Sequence, residues 1–308
     1  MTPFPGPERS PERSIVFRNA DLPELFHRAD AHAIARQGEA VGSTRAQLVL
    51  LVVGAAMASL PWRAELGGGF QAVGVLTTLA YAGVLLLTFS TSRRKAKAQW
   101  QLNRSAADFI KSMCWRYAVH GAPFDAGSPD VDALFTSRVG EQLQELRTVG
   151  WDQESPGTDL ITHQMRALRA RPFEVRRETY VRDRLIEQRN WYRRKQEVSK
   201  GATLLWSSAF ALLTLVALAF GVLRALSVVE NTEVAAVVSA AAASGVAWSE
   251  FRRHQPLISA HALVEEKLKA LHLEMESPLT EKQWSAAVYE TERVVSPQYT
   301  DWLSRHGS

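Results

Sequence analysis

The sequence predicts an all-α membrane protein, with four transmembrane helices in two hairpins continued by long polar helices. Three observations predict that class. Four apolar segments, Ala46–Trp62, Gln71–Ser90, Ala202–Val222 and Thr232–Trp248, carry no charged side chain in their middles. A helix of roughly 17–25 apolar residues crosses a hydrocarbon layer about 30 Å thick. The segments form two pairs, each with a short loop at its tip and Lys and Arg at its flanks. The polar remainder shows helical spacing and no run of alternating strand character.

Whole-chain averages conceal this arrangement. A mean hydropathy of -0.14 and 22% charged residues would suit a soluble protein, so very polar stretches must offset the apolar segments. The flanking cations then set the topology. Arg36 and Arg45 precede the first segment, and Arg93, Arg94, Lys95 and Lys97 follow the second. Arg193, Arg194, Lys195 and Lys200 precede the third, and Arg252 and Arg253 follow the fourth. The tip loops hold only Arg63, Glu65, Arg224 and Glu230. By the positive-inside rule both tips face outward and both termini are cytoplasmic, as in a multi-pass membrane protein.

The elements follow in chain order. Residues 1–14 are Pro-rich and polar, a composition expected to be disordered. Asp21-Leu22-Pro23-Glu24 reads as a helix start, with Asp as cap and Pro in the first turn. Gly38 and Gly42 are expected to weaken that helix before the first segment. The first apolar segment begins near residue 46, too late for a secretory signal. The second is expected to continue as one rod to about His120. Gly and Pro residues from 121 to 160 punctuate short helical pieces such as Asp130–Thr136 and Glu141–Arg147. A run free of breakers from Phe173 to Lys200 enters the third segment directly. Pro256 marks a kink or break, Ile258–Met275 reads as helix, and a short helix follows Pro278. The expected organisation is therefore a first two-span unit at 15–125, a junction at 126–158, a second two-span unit at 159–276, and a tail at 277–308.

Several chemistries find little support. The single cysteine, Cys114, excludes an intrachain disulfide and fits a reduced compartment. The eight histidines are scattered without metal-ligand spacing, so no metal or cofactor is expected. No catalytic constellation lies near the segments, and an enzyme is not expected. The absence of an ionisable group in mid-span argues against an ion-coupled pump. A passive pore stays permitted.

The stretch Ile161-Thr-His-Gln-Met-Arg-Ala-Leu-Arg169, followed by Tyr180, Arg184, Gln188, Trp191, Tyr192 and Lys195, resembles the SLATT family. So does Trp100–Phe124, with Arg104, Ala106, Lys111, Trp115-Arg116-Tyr117 and Pro123-Phe124. SLATT proteins are SMODS- and SLOG-associating two-transmembrane effectors, and this chain looks like a tandem of two such units. The sequence departs from the pattern at Gln196, where a small residue is expected. The resemblance implies an effector of a bacterial anti-phage system, a homo-oligomeric channel or pore that depolarises the membrane and arrests growth. It also implies control by a nucleotide or oligonucleotide made by a partner nucleotidyltransferase. A non-conducting membrane anchor for a cytoplasmic partner is the alternative.

Two stripes of hydroxyls are candidate pore linings. Thr77, Tyr81 and Thr88 fall at i, i+4 and i+11, within roughly 40° of one another on a helix, and Thr203, Ser207 and Thr214 repeat the spacing. The same hydroxyls would serve equally as bonds to their own backbone or across a helix contact. Four helices are too few to enclose a channel, so a pore needs a homo-oligomer, a tetramer or larger. In the fourth segment, Ser239, Ala241, Ser244 and Gly245 form a run of small residues suited to close helix packing. Between Arg166 and Lys200 lie twelve Lys or Arg against five Asp or Glu. That run reads as a solvated helix face, as a surface for anionic membrane lipids, or as a nucleotide site. For the last two, Arg189, Trp191, Tyr192, Arg193, Arg194 and Lys195 are the candidates, offering cations beside stacking rings. Duplex DNA binding is not expected.

Overall fold

The computed structural model describes residues 16–59, 72–94, 96–148, 150–151, 159–226, 233–252 and 254–296. Ten α-helices occur among them, and no strand. They are α1 (Glu24–Ala58), α2 (Ala72–Arg94), α3 (Ala96–Ala118), α4 (Val131–Thr148) and α5 (His163–Arg169). After these come α6 (Phe173–Tyr180), α7 (Ile186–Ala225), α8 (Glu233–Arg252), α9 (His254–Glu276) and α10 (Glu281–Val295). The fold class is all-α. Glu24–Ala58, Ala72–Ser90 and Phe173–Leu223 are each long and apolar enough to cross a membrane. Their leucines stand exposed in the isolated chain, as at Leu86, Leu204 and Leu205, which suits a lipid surround. The fourth apolar segment falls on α8.

Local chemistry moves several of the expected boundaries. Asp21 does not cap α1. It closes a 3-10 turn at Asn19–Asp21, where its carboxylate accepts the Arg18 amide at 2.7 Å. Gly38 and Gly42 leave α1 unbroken, since 35 residues of cooperative hydrogen bonding outweigh two glycines. The two pieces expected around Gly140 are one helix, α4, whose Ala133 amide is capped by the Asp130 carboxylate at 3.0 Å. Pro256 sits in the first turn of α9, where no amide is required, so the helix simply begins there. Lys95, on the expected rod from α2 into α3, and residues 1–14 lie outside the described residues.

The chain folds into two compact units. Within the described residues the first, a helical bundle, draws on 16–28, 106–192 and 264–296, and the second, the span unit, on 29–105 and 193–263. The division falls inside four helices, α1, α3, α7 and α9. Each half of the chain therefore lends one long helix and one return helix to both units. This interleaving is what makes a tandem architecture one protein.

The bundle has a dense aromatic core. Phe17, Trp115, Tyr180, Trp284 and Phe173 meet edge to face in sequence, at centroid distances of 4.7, 5.7, 5.7 and 5.7 Å. Tyr117, Phe124 and Phe135 form a second cluster. Such geometry adds to the burial of large rings. Trp284 comes from α10, inside the stretch expected as a tail. Thr280 and Gln283 start that helix with a capping box, and Trp284, Val288 and Glu292 share its buried face.

Candidate functional site

The C-terminus of α3 organises the bundle. A helix end leaves carbonyls without partners and carries partial negative charge. Here His120 takes the left-handed conformation (φ 61°) and the Gly121 amide returns to the Arg116 carbonyl at 2.8 Å, a Schellman closure. The left-handed residue is His120 because Gly121 is needed next door: a Cβ there would collide with the Val288 side chain. Arginines then satisfy the exposed carbonyls. Arg169 donates to those of Tyr117 (2.6 Å) and Phe124 (2.9 Å), and its guanidinium lies 5.0 Å from the Tyr117 ring centroid. Arg176 donates to Val119 at 3.2 Å and to Glu281 at 2.7 Å, while the Trp284 indole donates to Val119 at 2.8 Å. Arg116 reaches Ala122 at 2.6 Å. Burial, with the Arg169 and Arg176 charges, pushes His120 down to about 4, so it is neutral at pH 7.

A second cluster lies deeper. Arg184 and Glu292 are both buried and form a two-pronged pair at 2.9 and 2.7 Å, and the Tyr180 hydroxyl donates to the same carboxylate at 2.9 Å. Burial works against the Arg184 charge, but the Glu292 carboxylate outweighs it and holds the guanidinium above its ordinary range. Lys111 lies in the field of this pair. Burial first, and the Arg184 charge second, lower it to about 8. Burial alone pushes the Cys114 thiol far up, which makes it unreactive. On the bundle's flank the Tyr117 hydroxyl donates to Asp132 at 2.6 Å, and Arg166 pairs with the other oxygen of that carboxylate at 3.1 Å.

The hydroxyl stripes have a different surrounding. Thr77 and Thr88 donate to the carbonyls of Val73 (2.9 Å) and Val84 (2.8 Å), four residues back on α2. Thr88 also accepts from Gln47 at 3.4 Å. The Tyr81 ring covers Gly54, where a Cβ would stand 3.1 Å from the ring. On α7, Ser207 and Thr214 are exposed, and the Thr203 hydroxyl is buried with no hydrogen-bond partner. Among the small residues of α8, Gly245 sits so tightly on Phe210 that any side chain would overlap the ring, and Ala241 and Ser244 are half-buried. The Ser239 side chain lies outside the described residues.

The basic-aromatic stretch is divided by its surroundings. Arg189 donates to His272 Nδ1 at 3.1 Å, and because a guanidinium only donates, Nε2 carries the hydrogen and faces Glu276 at 3.4 Å. Tyr192 is buried and its hydroxyl donates to the Val295 carbonyl at 3.1 Å, so its ring is not open to a stacking ligand. Trp191 stays about one-third exposed, and Arg193, Arg194 and Lys195 are exposed. The boundary between the two units follows Tyr192.

Sequence reasoning passed over Phe17, Arg176, Trp284 and Glu292. Glu292 was readable as an acid on the apolar face of an amphipathic helix, four residues after Val288. The others carry no local signal.

An all-helical protein whose long apolar helices are joined to a polar bundle is a membrane protein. The comparison with protein families makes this specific. SMODS and SLOG-associating 2TM effector domain 3 matches residues 23–177, and effector domain 1 of the same group matches residues 180–302. The chain belongs to the SLATT family and is a tandem of two such domains. The domain border at 177–180 falls just before the junction of α6 with α7. No curated protein and no solved structure matches it.

Proposed function

We propose that this membrane effector is a homo-oligomeric ion channel or pore of a bacterial anti-phage system, opened through its helical bundle by a nucleotide or oligonucleotide signal or by a partner protein. It sits in the inner membrane as a multi-pass protein with both termini and the bundle in the cytoplasm. Opening depolarises the membrane and arrests growth. One observation carries the reading: four helices run unbroken from a polar bundle into a unit whose apolar stretches lack mid-span charge. A rigid helix conveys a change at one end to the other without further machinery. Oligomers of at least four subunits supply the wall, anionic lipids meet Arg193, Arg194 and Lys195, and a base stacks on the exposed part of the Trp191 ring.

A second reading, a non-conducting anchor, is favoured by the Thr77 and Thr88 hydroxyls, which already find partners on their own helix. Purified protein in planar bilayers separates the two. Step conductance that appears with the signal nucleotide, and falls in Thr203→Leu and Ser207→Leu with assembly intact, supports the pore. An intact oligomer that is silent with every nucleotide tested supports the anchor.

A further inference from the structure

The helical run from Phe173 to Ala225 contains one wide turn, at Val181–Leu185, where the Ile186 amide donates to the Val181 carbonyl five residues back. The turn therefore holds one residue more than an α-helix would place there. Wide turns of this kind are rare, occur mostly as single turns inside α-helices, and are frequent at functional sites. Two residues inside this turn are held. Arg184 is fixed from within the bundle by Glu292. Asp183 is fixed from the N-terminal side, where one carboxylate oxygen accepts the Phe17 amide at 3.1 Å and Arg182 grips both oxygens at 2.6 and 2.8 Å.

Phe17 is well seated. Its ring is 1% exposed and meets Trp115 edge-on at 4.7 Å, next to Tyr180, the residue that opens into the wide turn. The stretch that carries it is short and lies before α1. It is stitched down by Leu22 in the core and by Thr162, whose hydroxyl donates to the Asp21 carbonyl at 2.8 Å. A ring and one backbone bond thus tie the segment before α1 to the wide turn of the helical run Phe173–Ala225.

We propose that Phe17 and the wide turn form a latch that sets the rotational register of α7. With Phe17 seated, Asp183 keeps its backbone donor and the turn stays wide. With Phe17 withdrawn, the turn closes to ordinary i→i+4 bonding. Absorbing one residue into the regular helix advances every later residue by about 100° and about 1.5 Å. Thr203, Ser207 and Thr214 lie on that same unbroken helix and turn with it. The latch deepens the channel reading, because it states how the hydroxyl stripe of α7 would be presented or hidden. The register change itself does not depend on conduction.

The test scans single cysteines from 203 to 214 in the full-length protein, on a Cys114→Ala background, in liposomes. Maleimide reactivity at each position gives the exposed face of α7. In Phe17→Ala and in Asp183→Ala the reactive face moves by one residue position along the scan. Deleting Arg182 removes the surplus residue while keeping the downstream phase, so in that background Phe17→Ala moves nothing. An unmoved face in both single variants, with the bundle folded by circular dichroism, overturns the latch, as does an equal shift in the Arg182 deletion. Should Phe17→Ala not fold, Asp183→Ala decides alone, since it leaves the ring in place. Silence in planar bilayers, with the face still moving, counts against the pore and not against the latch.

Discussion

The bundle and the span unit satisfy their polar groups in opposite ways. In the bundle the bonds join distant parts of the chain: Arg184 to Glu292, Trp284 to Val119, Arg169 to Tyr117 and Phe124. In the span unit the hydroxyls turn back on their own helix, as Thr44, Ser59, Thr77, Thr78 and Thr88 do, each to the carbonyl four residues earlier. Interhelical contact there comes through small residues, Gly54 under Tyr81 and Gly245 under Phe210, beside two polar links, Gln47 to Thr88 and Arg104 to Asp30. The contrast follows from the solvent each unit expects. A buried charge in a water-facing bundle fixes one arrangement, because any other leaves it unpaired. A hydroxyl in lipid has no water to fall back on and bonds to what is always present, its own backbone.

The largest effect comes from breaking the deepest bundle pair. Glu292→Ala leaves Arg184 and the Tyr180 hydroxyl buried without their shared acceptor. The expected loss is about 3–5 kcal/mol. A thermal scan of the detergent-solubilised protein, followed by tryptophan fluorescence, reads it. A change within experimental scatter would mean that the pair is not what holds α10.

Lys111 gives the next effect and carries a pH signature. Its folded value is about 8 against 10.5 in the unfolded chain. Between those values the unfolded chain binds the proton and the folded one does not, so stability rises with pH through the window. Below it both states are charged, and the folded state carries the full penalty of about 3 kcal/mol. Lys111→Met is therefore expected to be the more stable protein at pH 7. Its advantage shrinks between pH 8 and 10.5, as urea unfolding at several pH values would show. Parallel pH profiles for the two proteins would remove the lysine from the account.

Gly121→Ala is expected to cost about 1–3 kcal/mol, through overlap with Val288 in a packed core. Gly121→Ala with Val288→Ala tests the cause, since relief of the overlap should recover part of the loss. Arg169→Lys follows at about 1–2 kcal/mol: an ammonium keeps the charge at the end of α3 but cannot reach the carbonyls of Tyr117, Phe124 and Asp125 together. Both are measured as shifts in thermal midpoint.

The same contrast accounts for what could be read in the sequence. Apolar length and flanking charge are local properties, so the all-α membrane class was legible, as was the family through Trp115-Arg116-Tyr117 and Ile161–Arg169. Two of those motif residues, Arg116 and Arg169, prove to be among the groups that close the end of α3. Phe17 and Trp284 were not legible, because their partners are long-range and nothing beside them marks the contact. The wide turn at Val181–Leu185 is invisible for another reason: its residues are ordinary helix formers, and only the held side chains show where the surplus residue sits. Asp21 misled because a cap and a 3-10 turn use the same residue type.

The smallest effect sharpens the comparison from the span side. Thr77→Val and Thr88→Val each delete a hydroxyl bonded to its own helix, and the branched valine fills nearly the same space. The carbonyls of Val73 and Val84 keep their helical partners, so no buried acceptor is orphaned. The expected change in stability is about 0.5 kcal/mol or less for either. Thr203→Val should be neutral or slightly stabilising, since its hydroxyl is buried without a partner in the single chain. Steric-trap unfolding in bicelles has the resolution to tell these apart. A loss of 1.5 kcal/mol or more at Thr203 would mean that α7 repacks in the membrane so that this hydroxyl gains a partner it lacks in the single chain.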